Sequence, residues 1–357
     1  LIDIESSSLQ SIVLVHTREL ADQIYQVFCK LSSFMEPKVG ISLCVGKQRT
    51  VVDNIRDFGN SKKPIHVIVG TPGRVKDILK KKKMSGMYGR RRSTTPQYLV
   101  KLDHIKFFCL DEADEMLKHG NYDIVKDIHD MIKSEKLRVF LFSATLPEEM
   151  LESTSELMEN PLKIILTKDK VQLQGIRQFF IDIDPERSLR LPQDMNRMLQ
   201  RKYDTLKDIY EKLPLSQVMI FCNSKNRVSE LTESFRSETE VDFPVVAIHG
   251  EISQEERVRR VKDFRTGKIK TLIATDLLGR GFDVQGVSIV VNFDIPSNPE
   301  SYTHRIGRAG RYGRKGNALN LVGSSREKNM LQEIKKYYKM SDDKIEEYRE
   351  DSLKYAF

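Results

Sequence analysis

The sequence predicts an α/β protein of two domains, each a mostly parallel sheet flanked by helices. Three observations lead there. At 357 residues the chain is longer than one hydrophobic core usually serves. Short apolar runs alternate with longer stretches of helical period, as in β-α-β units around a parallel sheet. That pattern occurs twice, on either side of a break at Asn160-Pro161. The first predicted domain is therefore 1–160, the linker 161–175 and the second domain 176–357.

In the first half the predicted strands are Ser11 to His16, Ile41 to Val45, Ile65 to Val69, Ile105 to Leu110 and Val139 to Phe142. After the break an extended run, Ile176 to Ile183, leads into Gln217 to Cys222, Val245 to His249, Thr271 to Ala274, Ser288 to Asn292 and Ala318 to Val322. Two segments read as insertions. One joins the run Lys80 to Lys83 to Met84–Pro96, with Arg90, Arg91 and Arg92 inside it; it suits either a solvated loop or an added RNA contact. The other, Asp184 to Leu199, carries no chemistry that its residues announce.

Composition narrows the function classes. With 39% hydrophobic and 31% charged residues, the chain is neither a membrane-spanning protein nor a disordered acidic one. Lys and Arg number 59 against 51 Asp and Glu, a net charge of +8 that suits a polyanion such as nucleic acid. Cys29, Cys44, Cys109 and Cys222 form no C-x-x-C pair and read as reduced residues of a cytoplasmic or nuclear protein.

The chemistry concentrates in a few places. Phe107 to Leu110, a buried strand, delivers Asp111-Glu112-Ala113-Asp114 to its C-terminal end, the edge at which open α/β sheets bind ligands. Phosphoryl transfer needs one carboxylate to hold Mg²⁺, here Asp111 through water, and another to orient or deprotonate the attacking water, here Glu112. The competing reading is acids complementing a helix dipole. In His304-Arg305-Ile306-Gly307-Arg308-Ala309-Gly310-Arg311, arginines recur every three residues, a spacing that on a helix shares one face. Such arginines can stabilise charge growing on a γ-phosphate, or form an exposed basic turn. In Thr71-Pro72-Gly73-Arg74 the threonine suits a helix cap, proline the first turn, and glycine leaves amides open to a phosphate. Thr17 and Arg18 similarly start a helix after a strand. Ser143-Ala144-Thr145 precedes Glu148 at capping-box spacing from Thr145, so capping and function coexist as readings.

Taken together, Asp111 to Asp114 and His304 to Arg311 resemble motifs II and VI of the DEAD-box RNA helicases. Thr17-Arg18-Glu19-Leu20, Thr71 to Arg74 and Ser143 to Thr145 are similar to motifs Ia, Ib and III. Ile220 to Asn223 resembles motif IV, Gln254 to Arg257 the Q-x-x-R element, and Ala274-Thr275-Asp276 through Arg280-Gly281-Phe282-Asp283 motif V. The resemblance spans nearly the whole chain and lies nearest the translation-initiation-factor 4A group. It implies two RecA-like domains, ATP and Mg²⁺ bound in a cleft, and an RNA-dependent ATPase that unwinds short duplexes or remodels RNA–protein complexes. It also implies catalytic roles for Asp111, Glu112, Asp114, Ser143, Thr145, His304, Arg308 and Arg311, and nucleotide contacts from Gly281, Asp283, Arg308 and Arg311. RNA would be held mainly by the backbone of one strand through Thr17, Arg18, Gly46, Thr71, Pro72, Gly73, Arg74, Gly250, Gln254, Arg257 and Thr275. A monomer working with helical scaffold or mRNP partner proteins, away from membranes, completes the expectation. The main rival is a non-catalytic RNA clamp or scaffold component; a second, a DNA-directed helicase, is disfavoured by the D-E-A-D form together with H-R-I-G-R-A-G-R.

Departures from the family pattern are specific. No G-x-x-x-x-G-K-[ST] phosphate loop occurs; Gly40 to Lys47 is one residue too long, and Gln48 stands where a hydroxyl is needed. The expectation is that this loop lies upstream of Leu1 and that the first domain as given lacks its first strand. His16 stands where the family usually has proline, Lys47 where it has a second glycine, Gly279 where it has alanine and Phe282 where it has an aliphatic residue. His249 suits either a motif position or a hydrogen-bonded structural histidine.

Overall fold

The structure, a computed structural model, describes residues 2–46, 51–59, 64–81, 100–117, 121–143, 154–165, 175–185, 194–212, 215–237, 244–276, 287–310 and 316–349. The chain divides into two compact units, Leu1–Lys163 and Ile164–Phe357.

The first unit runs β1 (Ser11–Val15), α1 (Arg18–Leu31), β2 (Ile41–Cys44), α2 (Val51–Gly59), β3 (Val67–Gly70), α3 (Pro72–Leu79), β4 (Phe107–Asp111), α4 (Ala113–Leu117), α5 (Tyr122–Ile132) and β5 (Arg138–Phe142). Its strands lie in the order β2-β3-β1-β4-β5, and every pairing is parallel. Central β1 is buried throughout because alternate residues enter different cores. Ile12 and Leu14 pack with Val75 and Ile78 of α3 and Val125 and Ile128 of α5. Val13 and Val15 pack with Leu20 and Ala21 of α1. That two-sided burial is why these strands read as unbroken apolar runs. At the edge, Phe140 and Phe142 of β5 are exposed.

The second unit contains β6 (Ile176–Asp182), α6 (Met195–Lys212), β7 (Val218–Phe221), α7 (Lys225–Ser237), β8 (Val245–Ile248), α8 (Gln254–Arg265), β9 (Thr271–Ala274), β10 (Ile289–Asn292), α9 (Pro299–Ile306), β11 (Gly316–Val322), α10 (Ser325–Tyr337) and β12 (Ile345–Glu347). Its sheet, β12-β6-β11-β10-β7-β9-β8, is also parallel at every pairing.

Two corrections to the sequence reading follow. Helix α6 begins at Met195, inside the segment read as an insertion, because Met198 and Lys202 on its inner face are buried. Strand β12 had no strand pattern: Ile345-Glu346-Glu347 is held by pairing with β6 at the sheet edge, where only Ile345 is buried. The basic insertion falls almost wholly outside the described residues, as does the Thr145–Glu148 capping box. A capping box does form on α10, where Ser324 Oγ accepts from Glu327 N at 3.2 Å and Glu327 Oε2 accepts from Ser324 N at 3.2 Å. Among the described residues no helix is long and apolar enough to cross a membrane.

Glu327 also receives a buried cation. Lys202, 2% exposed, donates to Glu327 Oε1 at 2.6 Å and to the Phe293 carbonyl oxygen at 2.7 Å. Its ammonium lies 5.6 Å from the Phe293 ring centroid. One side chain thus ties α6 to the end of β10 and the start of α10. Lys202→Ala is expected to destabilise the protein by about 3 kcal/mol or more, since it strands a half-buried carboxylate and a buried carbonyl. Denaturant unfolding checks this, and Lys202→Met, which keeps the packing, should cost less.

Candidate functional site

Parallel register fixes the first-unit site. Val15 of β1 pairs with Asp111 of β4, and Asp111 in turn pairs with Phe142 of β5. His16, Glu112 and Ser143 therefore leave the sheet at one edge, its C-terminal edge. Asp111 Oδ1 accepts the Glu112 amide at 3.0 Å. Glu112 has φ 52°, a left-handed conformation that costs a non-glycine residue on the order of 1–3 kcal/mol and turns the chain from β4 into α4. It thus precedes the helix and does not sit in its first turn. Asp114 is fully buried on α4. Burial raises the Asp111 carboxyl above its ordinary range; the Glu112 amide opposes that shift and the Asp114 charge adds to it. The same burial, with Asp111 nearby, pushes the Cys109 thiol up to about 12. Crowded, partly desolvated carboxylates are a setting that a cation relieves. Among the described residues no group of three or more potential ligands gathers. A Mg²⁺ ion fits Asp111 only as one carboxylate supplemented by water and phosphate oxygens.

Beside these acids, at the ends of β1, β2 and β3, lies a basic corner. Thr17 caps α1, its hydroxyl accepting from Leu20 N at 3.2 Å. Arg18 and Arg74 converge on Gly46: a Cβ there would stand 3.4 Å from one guanidinium nitrogen of Arg18 and 3.7 Å from one of Arg74. Arg74 Nη1 donates to Asn54 Oδ1 at 3.4 Å, and Asn54 Nδ2 donates to the Leu43 carbonyl oxygen at 3.0 Å. Thr71 occupies the N-cap position of α3, followed by Pro72, yet makes no capping bond with its side chain. This corrects its reading as a cap. The two glycines that flank the turn from β3 into α3 differ in kind. A Cβ on Gly73 would meet nothing within 4 Å, whereas one on Gly70 would lie 2.2 Å from the Cys44 carbonyl oxygen. Gly40, part of the rejected phosphate-loop match, is glycine because its backbone abuts Pro64, whose oxygen would be 1.8 Å from a Cβ.

In the second unit the loops after β7, β8, β9 and β10 share one edge. Arg305 organises three of them. It is 0% exposed and grips Asp276 with Nε to Oδ1 at 2.5 Å and Nη2 to Oδ2 at 2.8 Å. Nη2 also donates to Asn223 Oδ1 at 2.6 Å, and Nη1 to the Asp294 carbonyl oxygen at 2.7 Å. Asp294 Oδ2 accepts from Asn223 N at 3.0 Å. The guanidinium lies 5.4 Å from the Phe221 ring centroid. Thr275 precedes Asp276 at the end of β9. Gly250 follows β8 and has open space where a Cβ would be. Ser253 caps α8, accepting from Glu256 N at 3.2 Å, and thereby sets the start of the helix that carries Gln254 and Arg257. His249 Nδ1 is buried without a hydrogen-bond partner among the described residues, which weighs against the satisfied structural histidine.

The expected arginine face does not form. Helix α9 ends at Ile306 with Gly307 as its C-cap, so Arg305 lies on the helix and Arg308 in the following turn. His304 and Arg308 are both buried, with Arg308 Nε donating to the His304 carbonyl oxygen at 3.1 Å. Thr145, Gly281, Asp283 and Arg311 lie outside the described residues, and Gln254 is described in its backbone alone. Arg305, Asn223 and Asp276 were missed as a unit. They are 53 and 29 residues apart, and only the charge of Arg305 beside apolar Ile306 hinted at a buried partner.

Comparison with known proteins shows the family. The family profile described as DEAD/DEAH box helicase matches residues 1–153, and that of the helicase conserved C-terminal domain matches residues 201–313. The chain belongs to the DEAD-box family of ATP-dependent RNA helicases. Two of its relatives are the ATP-dependent RNA helicase eIF4A of Yarrowia lipolytica and eukaryotic initiation factor 4A-9 of Nicotiana tabacum. The first is 40% identical over 94% of this chain and 75% of the relative; the second is 42% identical over 94% and 72%. Among solved structures, Saccharomyces cerevisiae Dbp5 bound to RNA and ADP BeF3 superposes with a TM-score of 0.78 at 30% identity, covering 99% of this chain and 81% of that one.

The glycine environments generate a prediction. Gly73→Ala and Gly250→Ala should leave the melting temperature unchanged or raise it slightly, by up to about 1 kcal/mol of stability, because the space is open. Gly70→Ala should lower it clearly. If both open glycines serve RNA, their alanine variants also bind single-stranded RNA more weakly, which fluorescence anisotropy reads directly.

Proposed function

We propose that this chain hydrolyses ATP with Mg²⁺ when RNA is bound, and that it uses the cycle to open short duplexes or remodel RNA–protein complexes. The observation that carries this reading is the pair Asp111 and Glu112, delivered by β4 to the sheet edge with Glu112 in a strained turn. Asp111 would hold the ion, which when bound polarises the phosphate oxygens and offsets their charge. Glu112 orients the water that attacks the γ-phosphorus and takes its proton as the bond to the β–γ bridging oxygen breaks. Asp114 completes the acidic motif, and Ser143 and Thr145 couple the state of the nucleotide to unwinding. His304, Arg308 and Arg311 act on charge developing at the γ-phosphate, and Gly281 and Asp283 contact the nucleotide.

RNA is gripped by phosphate contacts rather than base edges. The supporting observation is the convergence of Arg18 and Arg74 on Gly46, next to Thr17, Thr71, Pro72 and open Gly73. Gly250, Gln254, Arg257 and Thr275 form the corresponding set in the second unit. Such contacts carry no sequence code, so the enzyme takes RNA by backbone and 2′-hydroxyl. The four free cysteines fit an intracellular, cytoplasmic or nuclear enzyme. It acts as a monomer alongside scaffold or mRNP partners.

In the full-length protein, Glu112→Gln is expected to lower RNA-stimulated ATP turnover by about a hundredfold or more while RNA binding persists. Phosphate release with and without single-stranded RNA measures this. Unchanged turnover would overturn the assignment. An RNA clamp would show binding without turnover in the wild type, and a DNA-directed enzyme would be activated equally by DNA oligomers.

A further inference from the structure

The side chain facing Glu112 is that of His16, the residue that follows β1. His16 Nδ1 stands 3.1 Å from Glu112 Oε2, and both side chains are largely enclosed, at 13% and 19% exposure. The contact is a consequence of register. Val15 pairs with Asp111 in the parallel β1–β4 ladder, so the residues that follow, His16 and Glu112, leave the sheet side by side. On the chain's other side, His16 is followed directly by Thr17, which caps α1, and by Arg18, whose guanidinium reaches the basic corner at Gly46. Proline at this position would hold the turn through its fixed φ and could make no polar contact. Histidine instead brings an imidazole nitrogen to ion-pair distance of a carboxylate oxygen.

We infer that His16 is a positioning residue: it fixes the rotamer of the Glu112 carboxylate and links that carboxylate, through a single peptide step, to the turn that meets RNA. The inference rests on the reading of Glu112 as the group that orients the attacking water. A glutamate held at φ 52° at a strand end has its backbone set by the turn, but its three side-chain torsions still have to be fixed. A carboxylate accepts only, so the contact needs a donor at the Nδ1 position. Ordering of Thr17 and Arg18 on a phosphate backbone would steady the same turn, giving RNA a short path to the hydrolytic group.

The test compares three variants of the full-length protein at saturating RNA: His16→Leu, which fills the space without a donor, His16→Asn, whose amide nitrogen falls near the place of Nδ1, and Glu112→Gln. His16→Leu should lower kcat for ATP by about tenfold or more, with KM for ATP and the RNA concentration for half-maximal activation within about twofold of wild type. His16→Asn should recover most of kcat. Thermal melts establish that each variant is folded. A folded His16→Asn as slow as His16→Leu overturns the proposal, and so does wild-type kcat in His16→Leu while Glu112→Gln is inactive. If Glu112→Gln itself turns over ATP at the wild-type rate, the reading of Glu112 fails, and the proposal with it.

Discussion

Parallel strand register is the constraint on which the rest depends. A parallel sheet sends every strand's C-terminal end to the same edge, and the pairing partners decide which residues emerge together there. In the first unit this places His16, Glu112 and Ser143 in a row after Val15, Asp111 and Phe142. A shift of β1 by one residue would turn Val13 and Val15 out of the core they share with Leu20 and Ala21, so the hydrophobic cores lock the alignment of these strand-end residues. Burial of both sheet faces and placement of the acids are therefore one requirement, met by the same residues.

The second unit meets a different problem, that of holding its strand-end loops to one another. Arg305 solves it with a planar fork that reaches the loops after β7, β9 and β10 at once. A buried guanidinium is costly to desolvate and is retained only where nearly all its donors find acceptors. Here Asp276, Asn223, Asn292 and the Asp294 carbonyl supply them, and the Phe221 ring covers the flat face. Lys202 repeats the device one residue earlier in the chain, bonding the carbonyl of Phe293 next to Asp294. Two buried cations thus fix the edge that presents Gly250, Thr275 and the turn bearing Arg308.

Features that depend on neighbours in sequence were legible without coordinates. Buried strands declared themselves as apolar runs, Thr17 as a helix cap after a strand, and Asp111-Glu112 as acids at a strand end. Features that depend on long-range partners were not. Arginine spacing in His304 to Arg311 suggested one helical face, but Gly307 ends the helix and tertiary acceptors pull Arg305 inward. Strand β12 forms because the edge of β6 offers unpaired backbone groups, a reason invisible in Ile-Glu-Glu. Thr71 sits where a cap should be and does not bond, since capping depends on a side-chain rotamer as well as a position.

By itself, the sequence determined the α/β class, the two-part organisation, the family and the acids at the end of a buried strand, because each is written in local periodicity or in motifs a few residues long. Only the tertiary structure decided which side chain stands against Glu112, which glycines are open and which are forced by a neighbouring backbone, and which arginine is a buried strut. Those outcomes depend on the register of strands about 95 residues apart in the chain and on competition among acceptors inside a low-dielectric core. No local pattern encodes either.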